Sequence, residues 1–85
     1  MRNITFMPLA WEHLNWWNKE NPKMISKIFE LAGNAARTPF EGLGKPEALK
    51  GNLQGYWSRR INQEHRIVYK VLPEEIVVMS AKGHY

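Results

Sequence analysis

The sequence predicts an α+β domain in which two helices cover one face of a sheet. The first forty residues contain a short strand pattern followed by two stretches of helical periodicity. The last thirty residues alternate apolar and polar side chains, as half-buried strands do, and a glycine- and proline-rich stretch separates the two parts. Helices grouped before strands are typical of α+β packing, with the helices on one side of an antiparallel sheet.

The N-terminal half is expected to form a strand and two helices. β-Branched and aromatic residues predict a strand at residues 3–7, and apolar residues every three or four positions predict a helix ending near residue 20. Asn21 followed by Pro22 is a helix start signal, because asparagine caps and proline suits the first helical position. The second helix should run from residue 22 to about 37. We expect three tryptophans of the first helix to pack in the core rather than stack on bases: Trp11, Trp16 and Trp17.

The C-terminal half is expected to complete the sheet. Residues 38–54 are interpreted as a long loop, and long ordered loops in small domains are usually functional or mobile. After it, strands are predicted at residues 56–61, 65–72 and 76–82, joined by short turns into an antiparallel meander.

Composition indicates one small domain spanning residues 1–85 with a polyanionic partner. No cysteine and no long apolar run occur, so we expect a cytoplasmic protein without a membrane span or secretion signal. Twelve lysines and arginines against eight glutamates, with no aspartate, give a net charge of +4. Such a charge favours RNA, DNA or an acidic protein as partner, and a solvated basic surface is an equally open interpretation.

Strand alternation places two arginines on one exposed sheet face. Ile67 and Tyr69 should face the core, so Arg66 points away from the helices, and Arg60 on the preceding strand has the same phase. Two guanidinium groups on an open face suit phosphate oxygens. The alternative is a pair of surface arginines partnered by nearby glutamates.

Two further residues complete a candidate catalytic set. Glu47 lies between Lys45 and Lys50, and nearby positive charge favours the ionised carboxylate that a general base requires. His84 carries an imidazole able to donate a proton near neutral pH, provided that the last strand is held in the sheet. Taken singly, each has a plainer interpretation, as a solvated loop glutamate and an exposed terminal histidine.

Together, Glu47, Arg66 and His84 would suit metal-free RNA cleavage. A base removes the proton of the 2′-hydroxyl, that oxygen attacks the adjacent phosphate, and an acid protonates the departing 5′-oxygen. We expect no metal and no cofactor, because the sequence has no aspartate, no zinc-ligand spacing and no phosphate-binding glycine loop.

In these residues the chain resembles the YoeB (Txe) toxins of bacterial type II toxin–antitoxin modules, within the RelE-like superfamily. The motifs occur in family order over about 50 residues. They are RTPFEG at 37–42, GKPE at 44–47, WSRRI at 57–61, EHR at 64–66 and the final HY at 84–85. Two positions depart from the family pattern: Ala48, where proline is common, and Gly83, where larger residues are usual.

The resemblance implies a RelE-like fold and an mRNA endoribonuclease that acts in the ribosomal A site and blocks translation. The family's base, phosphate clamp and acid fall on Glu47, Arg66 and His84, and its RNA contacts fall on Lys50, Arg60 and Tyr85. It also implies neutralisation by a YefM-like antitoxin with an acidic C-terminal segment, and a homodimer or toxin–antitoxin hetero-oligomer. The alternatives are a non-catalytic toxin of the gyrase-inhibiting type and an RNA-binding regulator that stacks bases on Trp57 and Tyr56.

Overall fold

The computed structural model describes residues 1–83 and confirms the α+β class. Two helices lie against a five-stranded sheet of order β1-β5-β4-β3-β2, in which β1 pairs parallel to β5 and the other neighbours are antiparallel. The elements in chain order are β1 (Asn3–Phe6), α1 (Pro8–Glu20), α2 (Lys23–Arg37), β2 (Glu47–Ala48), a 3-10 turn (Gly51–Leu53), β3 (Tyr56–Arg60), β4 (Arg66–Val71) and β5 (Glu75–Ser80).

The core lies between the helices and one face of the sheet. Its members are apolar side chains from both helices and from the central strands, including Ile28, Leu31, Ile67 and Tyr69, which are at most 2% exposed. Burying each side chain of this size stabilises the fold by about 1.5 to 3 kcal/mol before the cost of ordering the chain. The predicted meander is confirmed as β3-β4-β5.

The prediction for the tryptophans of α1 is correct for two and wrong for one. Trp17 is buried and its indole N–H donates to the carbonyl of Ala81 at 2.7 Å, while Trp16 is half-buried. Trp11 is 60% exposed. The apolar residues of α1 extend around more of the helix than the sheet covers, because Leu14 and Trp17 occupy the inward stripe and Trp11 lies outside it.

The predicted side-chain cap at Asn21 is also wrong. The cap position of α2 is Pro22, whose φ of −56° and ψ of −25° are already helical, and no side chain caps this end. Asn21 instead ends α1, with its N–H donating to the carbonyl of Trp17 at 2.8 Å. Only Asn21 and Pro22 therefore separate the two helices: Asn21 is the C-cap of α1 and Pro22 is the N-cap of α2.

The loop predicted at residues 38–54 contains more structure than expected. Its second part forms β2 and the 3-10 turn, so Glu47 lies on an edge strand rather than in a loop. Its first part is bound by the buried side chain of Arg59, which is 0% exposed. The Arg59 guanidinium donates to the Tyr69 hydroxyl, the Asn34 side-chain oxygen and three main-chain carbonyls, those of Thr38, Glu41 and Leu43.

Candidate functional site

The face of the sheet opposite the helices holds the candidate site. Along β3, Trp57 and Arg59 face the helix side, which leaves Ser58 and Arg60 on the other face. Residues paired across neighbouring strands lie on the same face, so Val68, the partner of Ser58, also faces away from the helices. The open face therefore consists of every second residue of β3 and β4, as strand alternation predicts.

Arg60 and Arg66 are direct cross-strand partners at the end of the β3-β4 ladder. Arg60 is exposed and Arg66 is half-buried, so the two side chains leave the same face with different solvent access. Directly opposed residues have Cβ atoms about 4.5–5.5 Å apart. An anion bound near two neighbouring guanidinium groups would be stabilised by both charges. The placement that the alternation predicts for both arginines is thus present in the structure.

Glu47 reaches the same face from the edge of the sheet. It pairs with Ser58, which pairs with Val68, which pairs with Ser80, so one row crosses four strands. Glu47 lies two strands away from Arg66 and two residues along the strand direction, which by ideal sheet geometry separates their α-carbons by about 12 Å. Glu47 and Arg66 therefore lie on the same face of the sheet, with one strand between them.

Lys50 is exposed and directly precedes the 3-10 turn, in the connection between β2 and β3. Its main-chain carbonyl accepts a hydrogen bond from Leu53 at 3.2 Å, which fixes the turn. The turn borders a groove of about 490 Å³ on the open face, whose lining includes Tyr56, Val68 and Met79. Lys50 therefore places a further exposed cation in the connection next to this groove.

The chain approaches Arg66 again at its last described residue. Gly83 accepts a hydrogen bond from the backbone N–H of Arg66 at 3.2 Å and donates one to Nδ1 of His65 at 2.8 Å. Gly83 has a φ of +80°, a region that favours glycine. The predicted acid His84 and the predicted RNA contact Tyr85 lie outside the described residues.

Two buried polar side chains were not recognised as important from the sequence. Burial raises the pKa of Tyr69, and its hydrogen bond and charge interaction with Arg59 act in the opposite direction. The hydroxyl of Tyr69 donates to the carbonyl of Pro39 at 2.7 Å while accepting from Arg59. A signal was present, because Arg59 occupies the same alternation phase as Trp57 and Ile61 and so must face the helices.

Two histidines were also missed, and both hold the C-terminal segment. Nδ1 of His13 accepts from the backbone N–H of Ala81 at 3.0 Å, as Nδ1 of His65 accepts from Gly83. Desolvation lowers the pKa of His13, Lys82 lowers it further, and Glu12 opposes the change. No sequence motif reveals these bonds, because each histidine is more than fifteen residues from its partner.

Within residues 1–83, no group of three or more histidine, cysteine or acidic side chains has the arrangement of a metal site. Neither described helix is long and apolar enough to cross a bilayer.

Comparison with known proteins identifies the class and then the family. A family model for the YoeB-like toxin of bacterial type II toxin–antitoxin systems matches residues 6–85. Toxin YoeB of Mycobacterium bovis is 46% identical over 85 residues and covers all of both chains. The YoeB dimer from Staphylococcus aureus superposes with a TM-score of 0.90 at 49% identity, over 99% of this chain and 98% of that chain. The YoeB–YefM heterotetramer from the same organism gives a TM-score of 0.88 at 49% identity, over 100% and 99%.

The fold and these matches define a toxin of a bacterial type II toxin–antitoxin system. The chain belongs to the YoeB-like toxin family.

Proposed function

We propose that this protein is a ribosome-dependent mRNA endoribonuclease that inhibits translation by cleaving RNA without a metal ion. The observation that carries the proposal is the convergence of Glu47, Arg60 and Arg66 on one open sheet face, beside the segment that leads to the C-terminus. A protein that only bound a partner would need the cations, but it would not need a carboxylate facing them.

Each side chain has a defined role in the proposed reaction. Glu47 removes the proton of the RNA 2′-hydroxyl, and the oxygen attacks the adjacent phosphorus. Arg66 stabilises the negative charge that develops on the phosphoryl oxygens, where a guanidinium can donate two parallel hydrogen bonds. His84 protonates the departing 5′-oxygen. The products are a 2′,3′-cyclic phosphate and a 5′-hydroxyl. This step consumes no water and requires no metal ion.

Three other residues are proposed to bind the RNA. Arg60 lies directly opposite Arg66 and is exposed, so it can contact a phosphate beside the scissile one. Lys50 is exposed at the rim of the same face and extends the cationic surface. Tyr85 is assigned to the site by its match to the terminal tyrosine of the family. Phosphate contacts of this kind fix the register of the strand and weaken as salt increases.

A YefM-like antitoxin is the proposed regulatory partner. The support is the Staphylococcus aureus complex, in which a YoeB toxin of 49% identity assembles with YefM as a heterotetramer. An acidic antitoxin segment would complement the net charge of +4. Free toxin is proposed to form a homodimer, as described for the Staphylococcus aureus YoeB dimer.

The proposal is tested by mapping mRNA cleavage with purified protein, with and without ribosomes. Glu47→Gln, Arg66→Ala and His84→Gln should each reduce the cleavage rate at least tenfold, because a positioned acid or base contributes about 10² to 10⁴. All three variants should still bind the antitoxin. Absence of cleavage by the wild type, with and without ribosomes, would instead favour a non-catalytic toxin, such as the gyrase-inhibiting type. Loss of activity only in Trp57→Ala would indicate a base-stacking regulator.

A further inference from the structure

Helix α1 holds both polar main-chain groups of Ala81. The N–H of Ala81 donates to Nδ1 of His13 at 3.0 Å, and its carbonyl accepts from the indole N–H of Trp17 at 2.7 Å. His13 and Trp17 are four residues apart and therefore share one side of the helix. Ala81 is 0% exposed and lies just past the end of β5 at Ser80. The two side chains satisfy groups whose burial without partners would cost about 1 to 3 kcal/mol each.

A second histidine holds Gly83 in the same way. Nδ1 of His65 accepts from the Gly83 N–H at 2.8 Å, and the Gly83 carbonyl accepts from the backbone N–H of Arg66 at 3.2 Å. His65 and the proposed phosphate clamp Arg66 are adjacent in sequence. The contacts that fix residue 83 thus come from the side chain of His65 and from the backbone of Arg66 itself.

Aromatic contacts connect the residues that bind Ala81 with the residue that binds Gly83. The His65 ring lies 4.9 Å from the Trp17 ring, edge to face at 79°, and 5.8 Å from the ring of Trp16. Lys82, between the two gripped residues, places its ammonium 4.2 Å from the centre of the Trp16 ring. Cation–π contacts of this kind stabilise by about 0.5 to 2 kcal/mol. Residues 81–83 are therefore held at each successive position by a side chain of α1 or by the start of β4.

Both imidazoles must be neutral at Nδ1 to make these bonds. A nitrogen that accepts from a backbone N–H carries no proton, so in the neutral ring the proton is on Nε2. An asparagine side chain places an acceptor oxygen the same number of bonds from its α-carbon as Nδ1 of histidine. Asparagine is consequently a matched replacement that keeps the acceptor, and leucine is one that removes it.

We propose that His13 and His65 are positioning residues of the cleavage reaction, which hold the main chain at Ala81 and Gly83 and so fix residue 83, the residue directly before His84 in the sequence, relative to Arg66. The inference rests on the proposed function, because it gives the clamp a reaction to serve. Neither histidine contacts the substrate in this account. They act through the backbone, and small displacements of a reacting group can reduce a rate about 10²-fold.

The test compares leucine and asparagine at each position. In ribosome-dependent mRNA cleavage, His13→Leu and His65→Leu should lower kcat about tenfold or more and leave KM within about twofold. His13→Asn and His65→Asn should recover kcat to within about threefold of wild type. Asparagine variants as slow as the leucine variants would overturn the proposal, since the rings would then act by packing alone. Leucine variants with wild-type kcat would overturn it as well.

Amide hydrogen exchange supplies a readout that does not depend on activity. The N–H groups of Ala81 and Gly83 should exchange faster in the leucine variants and at nearly the wild-type rate in the asparagine variants. Unchanged exchange in the leucine variants would show that no clamp exists. A different result would show that the proposed function is wrong. In that case amide exchange would follow the predicted pattern, but His84→Gln would cleave RNA as fast as wild type. That result would leave two structural histidines and would remove their role in a reaction.

Discussion

Replacing Arg59 by methionine tests whether one buried guanidinium holds residues 38–43 in place. Methionine has a similar length and no donors, so five hydrogen bonds are lost while the space stays largely filled. Four of the five acceptors keep other partners. The Thr38 carbonyl still accepts from the N–H of Glu41 at 3.4 Å, and the Glu41 carbonyl still accepts from the Thr38 hydroxyl at 3.1 Å. The Tyr69 hydroxyl still donates to the carbonyl of Pro39, and the Asn34 oxygen still accepts from the N–H of Leu43.

The magnitude follows from the three main-chain hydrogen bonds to the charged guanidinium that are lost. The carbonyls of Thr38, Glu41 and Leu43 each lose a bond to a charged group, of 2.7, 3.0 and 3.0 Å. At about 1 kcal/mol or more for each, the free energy of unfolding should fall by about 3 kcal/mol. For a domain of this size that corresponds to a decrease in Tm of about 12 °C or more.

Urea unfolding followed by tryptophan fluorescence measures this change. Arg60→Met is the matched control, because Arg60 is the next residue and is exposed, and it should change the stability by less than about 0.5 kcal/mol. Arg59→Lys should behave like the methionine variant, since a single ammonium group cannot reach the acceptors that surround the planar guanidinium. A stability of Arg59→Met within about 1 kcal/mol of wild type, at an unchanged m-value, would refute this account of the loop.

Four further outcomes are expected for stability. Gly44→Ala should destabilise by about 2 kcal/mol or more, because its Cβ would lie 2.8 Å from Leu31 at a φ of +80°. Gly51→Ala, at a φ of +63° with open space around it, should cost only about 1 kcal/mol by the same unfolding assay. The raised pKa of Tyr69 means that stability should fall as pH rises above about 10, where the unfolded tyrosine loses its proton first, and Tyr69→Phe should flatten that slope. The lowered pKa of His13 predicts that stability falls as pH drops below about 6.5, where the unfolded state binds the extra proton, and His13→Asn should remove this dependence in thermal melts at a series of pH values.

Periodic features were predictable from the sequence because their signals are local. The helices and the three strands of the meander were placed within a few residues of their observed bounds. Alternation along β3 and β4 placed Arg60 and Arg66 on the open face, since the side-chain period of a strand needs no knowledge of its partners.

Features that depend on long-range pairing were not predictable in the same way. Strand β2 has two residues, too few for a periodic pattern, and exists because it pairs with Ser58 and Trp57. The clamp by His13 joins residues 68 positions apart. The exposure of Trp11 depends on how much of α1 the sheet covers, which helical periodicity alone does not determine. Charge, strand alternation and the family motifs together supplied the candidate site, and the register then showed that Glu47 shares a face with the arginines.

The most direct test of the proposed chemistry is cleavage of an mRNA in which a single nucleotide lacks its 2′-hydroxyl. Ribosomes are programmed with a normal message and with one carrying a 2′-deoxy residue on the 5′ side of the mapped cleavage position. The 2′-oxygen is the proposed nucleophile, so the deoxy message should remain uncut at that position while the normal message yields a 2′,3′-cyclic phosphate end. Cleavage of both messages at the same rate would contradict the mechanism assigned to Glu47, Arg66 and His84.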